Sequence, residues 1–149
     1  MGLGTDSIFI AALASDNLLS AQTGGRIYGT SIPLPDSGLD NVPLPYMIVT
    51  FDGLVNSERT KDDDYESDVD DVTIGIEVTA KTLAQLHDLT QQVRSVVRAY
   101  IGSNAAEKIA DYTFSAQAIQ YDFIKPCYWQ TLVYQCEVNN ITEEEDEQD

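Results

Sequence analysis

Apolar residues recur at helical spacing in two segments of the chain, residues 6–22 and 82–101. In the second segment they form one continuous stripe, which is typical of a helix that packs on a core. Thr82 and Gln85 form a T-x-x-Q capping box at the start of this helix, and Gly102 ends it. The pattern therefore predicts a long amphipathic helix over residues 82–101.

The first helical segment has start, break and end signals of its own. Thr5 or Asp6 can cap its start. The Asp-Asn pair at 16–17 is expected to break it in two, because both side chains compete for backbone hydrogen bonds. The Gly-Gly pair at 24–25 ends it, since glycine tolerates a positive φ.

Four segments have the alternation or β-branched content of strands: 45–55, 72–80, 112–124 and 129–139. A short extended piece at 26–28 precedes a proline-bearing loop at 31–45. In the segment 72–80, alternation puts Val72, Ile74, Ile76, Val78 and Ala80 on a buried face. The opposite face is expected to be wet or in contact with a partner, and it carries Thr73, Gly75, Glu77 and Thr79.

The order of these elements predicts the fold class. The first two strands are expected to pair as an antiparallel hairpin, and the last two as a second hairpin. The order α-β-β-α-β-β indicates an α+β fold, with an antiparallel sheet of about four strands and helices packed on one face. We expect one domain over residues 1–142 with a long acidic hairpin loop at 58–71, followed by an acidic C-terminal tail at 143–149.

Negative charge is concentrated in that loop and that tail. The chain has 25 acidic and 8 basic residues, for a formal net charge of −17. This balance argues against binding DNA or RNA through phosphate neutralisation and against docking on an anionic membrane. We also expect no transmembrane helix and no signal peptide.

The densest acidic stretch is KDDDYESDVDD, residues 61–71, which is a candidate cation or partner site. Its seven carboxylates are those of Asp62, Asp63, Asp64, Glu66, Asp68, Asp70 and Asp71. An EF-hand loop that starts at Asp62 would need glycine where Ser67 stands and glutamate where Thr73 stands. A dedicated metal site is therefore not expected, and a divalent-cation-binding module stays an alternative.

No other residue set indicates catalysis or a cofactor. His87 is the only histidine and has no second ligand near it in sequence, which favours a residue on the helix surface. Cys136 falls inside the predicted strand 129–139 and Cys127 in the turn before it; if the two shared one strand they would lie about 30 Å apart, too far for a disulfide. Both are expected to be reduced, as in a cytoplasmic protein. The sequence predicts neither an enzyme nor a bound cofactor.

Aromatic residues are concentrated in the last hairpin. Alternation puts Tyr128, Leu132, Tyr134 and Val138 on one face of the last strand, with Trp129 and Val133 on the other. Two interpretations remain open for this second face. Its side chains lie at the solvent, or they pack against another subunit.

GGRIYGTSIP (24–33) and PLPYMIVTF (43–51), together with the helix before them, resemble the tail-completion and tail-terminator proteins of tailed bacteriophages. The likeness covers residues 6–140, and its motifs are structural. It implies a virion protein, assembled in the host cytoplasm, that forms a homohexameric ring at the head-proximal end of the tail. Such a ring stops growth of the tail tube and joins the tail to the head connector.

The resemblance also implies partners: other copies of the chain, the tail tube protein, and head–tail connector or adaptor proteins. DNA would pass through the ring without specific binding, and the acidic loop 61–71 suits the lumen because like charge repels phosphates. The alternatives are another head–tail adaptor, neck or tube protein, and, from a different class, the cation-binding module.

Overall fold

The computed structural model describes residues 4–29, 42–56, 69–102 and 109–139. In the described residues, three helices and a six-stranded sheet form an α+β fold, which confirms the predicted class. The elements in chain order are α1 (Thr5–Ser15), α2 (Asn17–Thr23), β1 (Ile27–Gly29), β2 (Tyr46–Asn56), β3 (Val69–Ala80), α3 (Leu83–Ile101), β4 (Ile109–Ala116), β5 (Gln120–Asp122) and β6 (Cys127–Asn139).

The strands form one mixed sheet of six strands in the order β1-β2-β3-β6-β4, with β5 also paired to β6. Both predicted hairpins are present as antiparallel pairs, β2 with β3 and β4–β5 with β6. The prediction of about four strands did not count the short extended piece at 26–28, which is β1, and it took β4 and β5 as one strand. β1 is also the only parallel member among the described strands, since it runs alongside β2.

One face of the sheet forms the core with the helices. The predicted inward residues of β3, from Val72 to Ala80 at every second position, are all buried. They face the apolar stripe of α3, where Leu86, Leu89, Val93 and Val97 are buried. The ring of Tyr134 lies within 6 Å of three other aromatic rings, its centroid being 5.2 Å from Phe9, 5.7 Å from Tyr112 and 5.1 Å from Phe114.

The helix ends follow their sequence signals with two differences. Asp16 divides α1 from α2 as predicted, because its carboxylate accepts a hydrogen bond of 2.9 Å from the backbone N–H of Leu19. Gly24 and Gly25 have φ of 62° and 79° and end α2 in the left-handed region. Thr5 and Asp6, however, lie inside the first turn of α1, whose N-cap position is Gly4 without a side-chain cap bond.

The capping box of α3 is modified. Thr82 Oγ1 accepts from the backbone N–H of Gln85 at 3.1 Å, as predicted. The Gln85 side chain accepts from the N–H of Lys81, one residue before the usual partner. Gly102 follows the last helical residue with φ −71°, so glycine's freedom at positive φ is not used there.

The predicted strand 112–124 is interrupted. Ala116 pairs with Leu132 and Gln120 with Trp129, so three residues on one strand stand opposite two on β6. The backbone bond from Gln117 N–H to Thr131 O, 2.9 Å, keeps this irregular stretch against the sheet. An extra residue of this kind is a β-bulge, which alternation alone does not reveal.

β3 begins at Val69, three residues before the predicted start at Val72. Asp70 and Asp71 therefore belong to the strand and not to the predicted loop 58–71. Within the described ranges, no helix has the length and apolar character needed to cross a bilayer.

Candidate binding surface

The face of the sheet opposite α1 and α3 carries the candidate site, and we call it the outer face. Of the seven acidic residues predicted to act together, five lie outside the described residues: Asp62, Asp63, Asp64, Glu66 and Asp68. The structure places the other two, Asp70 and Asp71, next to each other on β3, where alternation points them to opposite sides of the sheet.

These two carboxylates have different environments. Asp70 is buried, and its Oδ1 accepts a hydrogen bond of 2.7 Å from Nδ2 of Asn56 on the neighbouring strand. Asp71 is exposed on the outer face. Of this pair, only Asp71 can therefore contribute charge to a surface for a partner, and Asp70 stabilises the end of the hairpin.

Two acidic residues that the sequence reading did not single out stand beside Asp71. The register pairs Asp71 with Glu137 on β6, and Glu137 in turn with Asp111 on β4. These three exposed side chains, the carboxylate row, cross three adjacent strands. They border an open concavity of about 470 Å³. Like charges directly opposite on neighbouring strands are destabilising, so the row raises the free energy of the isolated sheet.

The carboxylate row is not a metal centre. Across the described ranges, no group of three or more histidine, cysteine or acidic side chains is arranged so that it could hold a metal ion. Residues 62–68 of the acidic stretch, to which the alternative of a cation-binding module applies, lie outside those ranges. Cation binding by that loop therefore stays a hypothesis.

A second concavity, of about 330 Å³, lies at the opposite end of the outer face; we call it the Glu77 pocket. Cross-strand pairing aligns Tyr46, Thr79 and Trp129 on β2, β3 and β6, and Glu77 lies two residues before Thr79 on the same face. The residues that line the pocket include Tyr46, Glu77, Thr79, Lys125, Cys127 and Trp129.

The wall of the pocket is closed by the β5–β6 turn. Asp122 Oδ1 accepts from the backbone N–H of Ile124 at 2.9 Å and of Lys125 at 3.3 Å, which fixes the turn. Lys125 Nζ donates to the carbonyl of Val42 at 3.0 Å and lies 5.7 Å from the centre of the Tyr46 ring. These bonds join the turn to the segment before β2, so residues distant in sequence enclose the pocket.

Burial changes the acidity of the groups in the pocket. It raises the pKa of the half-buried Glu77 carboxyl above its ordinary value of 4.5. Burial also raises the pKa of Tyr46, with the neighbouring Thr79 hydroxyl acting in the opposite direction. Glu77 was predicted to lie on a wet or contacting face, and the structure shows that this face is partly enclosed.

The β5–β6 turn also carries the most exposed apolar side chains of the described residues. Phe123 is 85% exposed and Ile124 is 97% exposed. Tyr121, 40% exposed, holds the turn from one side, its ring lying 4.8 Å from those of Phe123 and Tyr128. Large apolar side chains presented on a hydrogen-bonded turn are typical of a protein-binding surface.

The sequence analysis also considered the two cysteines and the histidine as candidates for chemistry. Cys136 lies on β6 as predicted, whereas Cys127, predicted to lie in the turn, is the first residue of the same strand. Both are buried and free. Burial raises the pKa of Cys136 to about 12 and that of Cys127 in the same direction, so neither thiol is activated. His87 is exposed on α3, as predicted.

Comparisons with known proteins show distant likeness in structure and none in sequence. No protein-family model matches the sequence, and no curated protein matches it. Among solved structures, the fold is similar to a chain from a structure titled "Virion of native gene transfer agent (GTA) particle". The identity is 15% and the TM-score 0.49, over 90% of this chain and 93% of that chain. A likeness this distant does not by itself indicate a shared function.

Proposed function

We propose that this protein is a structural virion component that forms a ring at the head-proximal end of a phage tail. The ring would end polymerisation of the tail tube and join the tail to the head connector. The observation that carries an assembly role is the β5–β6 turn, where Phe123 and Ile124 project on a turn fixed by Asp122. Exposed apolar groups held in one conformation lose little entropy on binding, as a docking contact requires.

The specific role rests on the sequence resemblance. The described residues of its motifs GGRIYGTSIP and PLPYMIVTF, 24–29 and 43–51, include β1 and the first half of β2, which pair in parallel. A cyclic ring also requires two different surfaces on each subunit that fit one another head to tail.

Acidic charge supports a ring through which DNA passes. The carboxylate row would add to Asp62, Asp63, Asp64, Glu66 and Asp68 if both faced the lumen, and like charge keeps phosphates from binding there. A cryo-EM map of the assembled neck tests this part. Density for the loop 61–71 on the outer rim would contradict it.

The ring itself is tested by mixing the protein with tail tubes of its own virus during polymerisation. We expect negative-stain images of a ring at one tube end, tubes of fixed length, and a mass for the capped species that corresponds to several copies. Tubes that grow to the same lengths with and without the protein, and carry no cap, would overturn the proposal. The mass is measured both with and without tubes, which distinguishes a ring that forms in solution from one that forms on the tube.

A further inference from the structure

The Glu77 pocket has one unbalanced negative charge. Glu77 and Asp122 each contribute a carboxylate to its lining, and Lys125 contributes the one ammonium group. Asp122 accepts from the backbone of its own turn, and the Lys125 ammonium is bound to the Val42 carbonyl. Among the described residues, nothing donates a hydrogen bond to the Glu77 carboxylate. A half-buried carboxylate without a partner is unfavourable, so the pocket is suited to a cationic guest.

A second polar group in the pocket also lacks a full partner. Thr79 is 2% exposed, and its Oγ1 has no hydrogen bond of standard geometry, although it lies close enough to the Tyr46 hydroxyl to lower that group's pKa. Buried hydroxyls in native structures nearly always have a partner. A guest with several N–H donors could satisfy Glu77 and Thr79 together.

The remaining lining favours a flat cation that belongs to a protein chain. The indole of Trp129, directly across from Thr79, offers a face on which a guanidinium can stack. Ile124 lines the same pocket and lies next to the exposed Phe123 in sequence, so apolar groups border the polar centre on the side of the β5–β6 turn. Apolar groups beside a charged anchor are common in protein–protein contacts.

We propose that the Glu77 pocket binds an arginine side chain of another protein, with the carboxylate of Glu77 accepting from the guanidinium and Trp129 stacking on it. A basic partner protein is the more suitable donor, because this chain has 25 acidic and 8 basic residues and charge complementarity favours a partner of opposite sign. Two described arginines also have contacts of their own, Arg26 with the Pro45 carbonyl at 3.2 Å and Arg94 over the Phe114 ring at 4.5 Å. That the donor is a virion protein rests on the proposed function, whereas the chemistry of the pocket does not.

Binding to the pocket can be followed by intrinsic fluorescence, because Trp129, which lines the pocket, is the only tryptophan of the chain. The full-length protein is titrated with N-acetyl-arginine amide at constant ionic strength while tryptophan fluorescence is followed. N-acetyl-citrulline amide, which has the same shape without the charge, is the matched control ligand. We expect a saturable change with the arginine amide, with Kd on the order of 1 mM for a single side chain, and at least tenfold weaker binding of the citrulline amide.

Variants identify the carboxylate. Glu77→Gln keeps the shape of the side chain and removes its charge, and we expect at least tenfold weaker binding. Glu137→Gln removes a charge from the far end of the same face, six residues along the sheet, and we expect no change. No saturable response in the wild-type protein, equal binding of the citrulline amide, or unchanged binding by Glu77→Gln with a native circular dichroism spectrum would each overturn the inference.

The source of the arginine is tested separately. Sedimentation of the wild-type protein and of Glu77→Gln at high concentration shows whether the pocket holds a second copy. Self-association that Glu77→Gln abolishes would overturn the assignment to another protein. If tubes remain uncapped while arginine binding is normal, the proposed ring is contradicted and the arginine-binding pocket is not. The two failures are therefore distinguishable.

Discussion

The two faces of β6 show how one strand serves two different purposes. Leu132, Tyr134, Cys136 and Val138 are each at most 1% exposed beneath the helices. Between Trp129 and Glu137, the residues on the opposite face of the strand are partly or fully exposed. They include Trp129, whose indole lies beside the Glu77 pocket, and Glu137, the centre of the carboxylate row. The core face gains stability from apolar burial, whereas the outer face retains unpaired charge that a partner can satisfy. Neighbouring residues on this strand should therefore respond very differently to substitution.

The largest contrast is expected between Leu132→Ala and Val133→Ala. Leu132 is fully buried, so its truncation leaves a cavity and should lower the free energy of unfolding by about 2–5 kcal/mol. Val133 faces outward and is only partly buried, so its truncation should cost below about 1 kcal/mol. Urea unfolding of the two variants measures both values. Equal losses would contradict the assignment of the faces.

The carboxylate row gives the next largest effect, with the opposite sign. Glu137→Lys turns two repulsive cross-strand pairs, with Asp71 and Asp111, into attractive ones. We expect a gain in unfolding free energy of about 1 kcal/mol at low salt, which declines as salt screens the exposed charges. Glu137→Gln, which removes the repulsion without adding attraction, should fall between the wild type and Glu137→Lys. A gain that is independent of salt would argue against an electrostatic cause.

Glu77→Gln should give a smaller gain in stability that depends on pH. Since burial raises the pKa of Glu77 in the folded protein above 4.5, the wild type loses stability as pH rises from 4.5 through that raised value. The glutamine variant has no such loss. The difference in unfolding free energy between the two proteins should therefore grow as pH rises above 4.5 and level off once pH exceeds the raised pKa, as measured by urea titration at each pH. A constant difference would show that the carboxylate is not destabilised by burial.

The smallest effect on stability is expected at the tip of the β5–β6 turn. Phe123→Ser removes a side chain that is 85% exposed, so the unfolding free energy should change by about 0.5 kcal/mol or less. Capping of tail tubes should nevertheless decline, because the docking contact is lost. Val55→Ser, at a side chain 61% exposed on β2, is the matched control and should cap normally. Normal capping by Phe123→Ser would remove the turn from the proposed interface.

Local patterns determined the parts of the fold that depend on neighbours in sequence. The period-two alternation of β3, the apolar stripe of α3 and the Asp16 break all follow from side chains competing for burial or for nearby backbone groups, and the structure confirms each of them. The bulge at residues 117–119 and the early start of β3 were missed, because they depend on the register against β6 and β2. A register is a property of two strands, and one strand's sequence does not contain it.

The sequence by itself determined the α+β class, the two hairpins and the face to which Glu77 belongs. Only the tertiary structure decided which charges stand together. It separated Asp70 from Asp71 by the pleat of one strand, and it brought Asp111 and Glu137 beside Asp71 by pairing three strands. It also enclosed Glu77 by bonding Lys125 to Val42 across 83 positions of the chain. Burial and electrostatic interaction depend on distance in space, which is set when the sheet assembles.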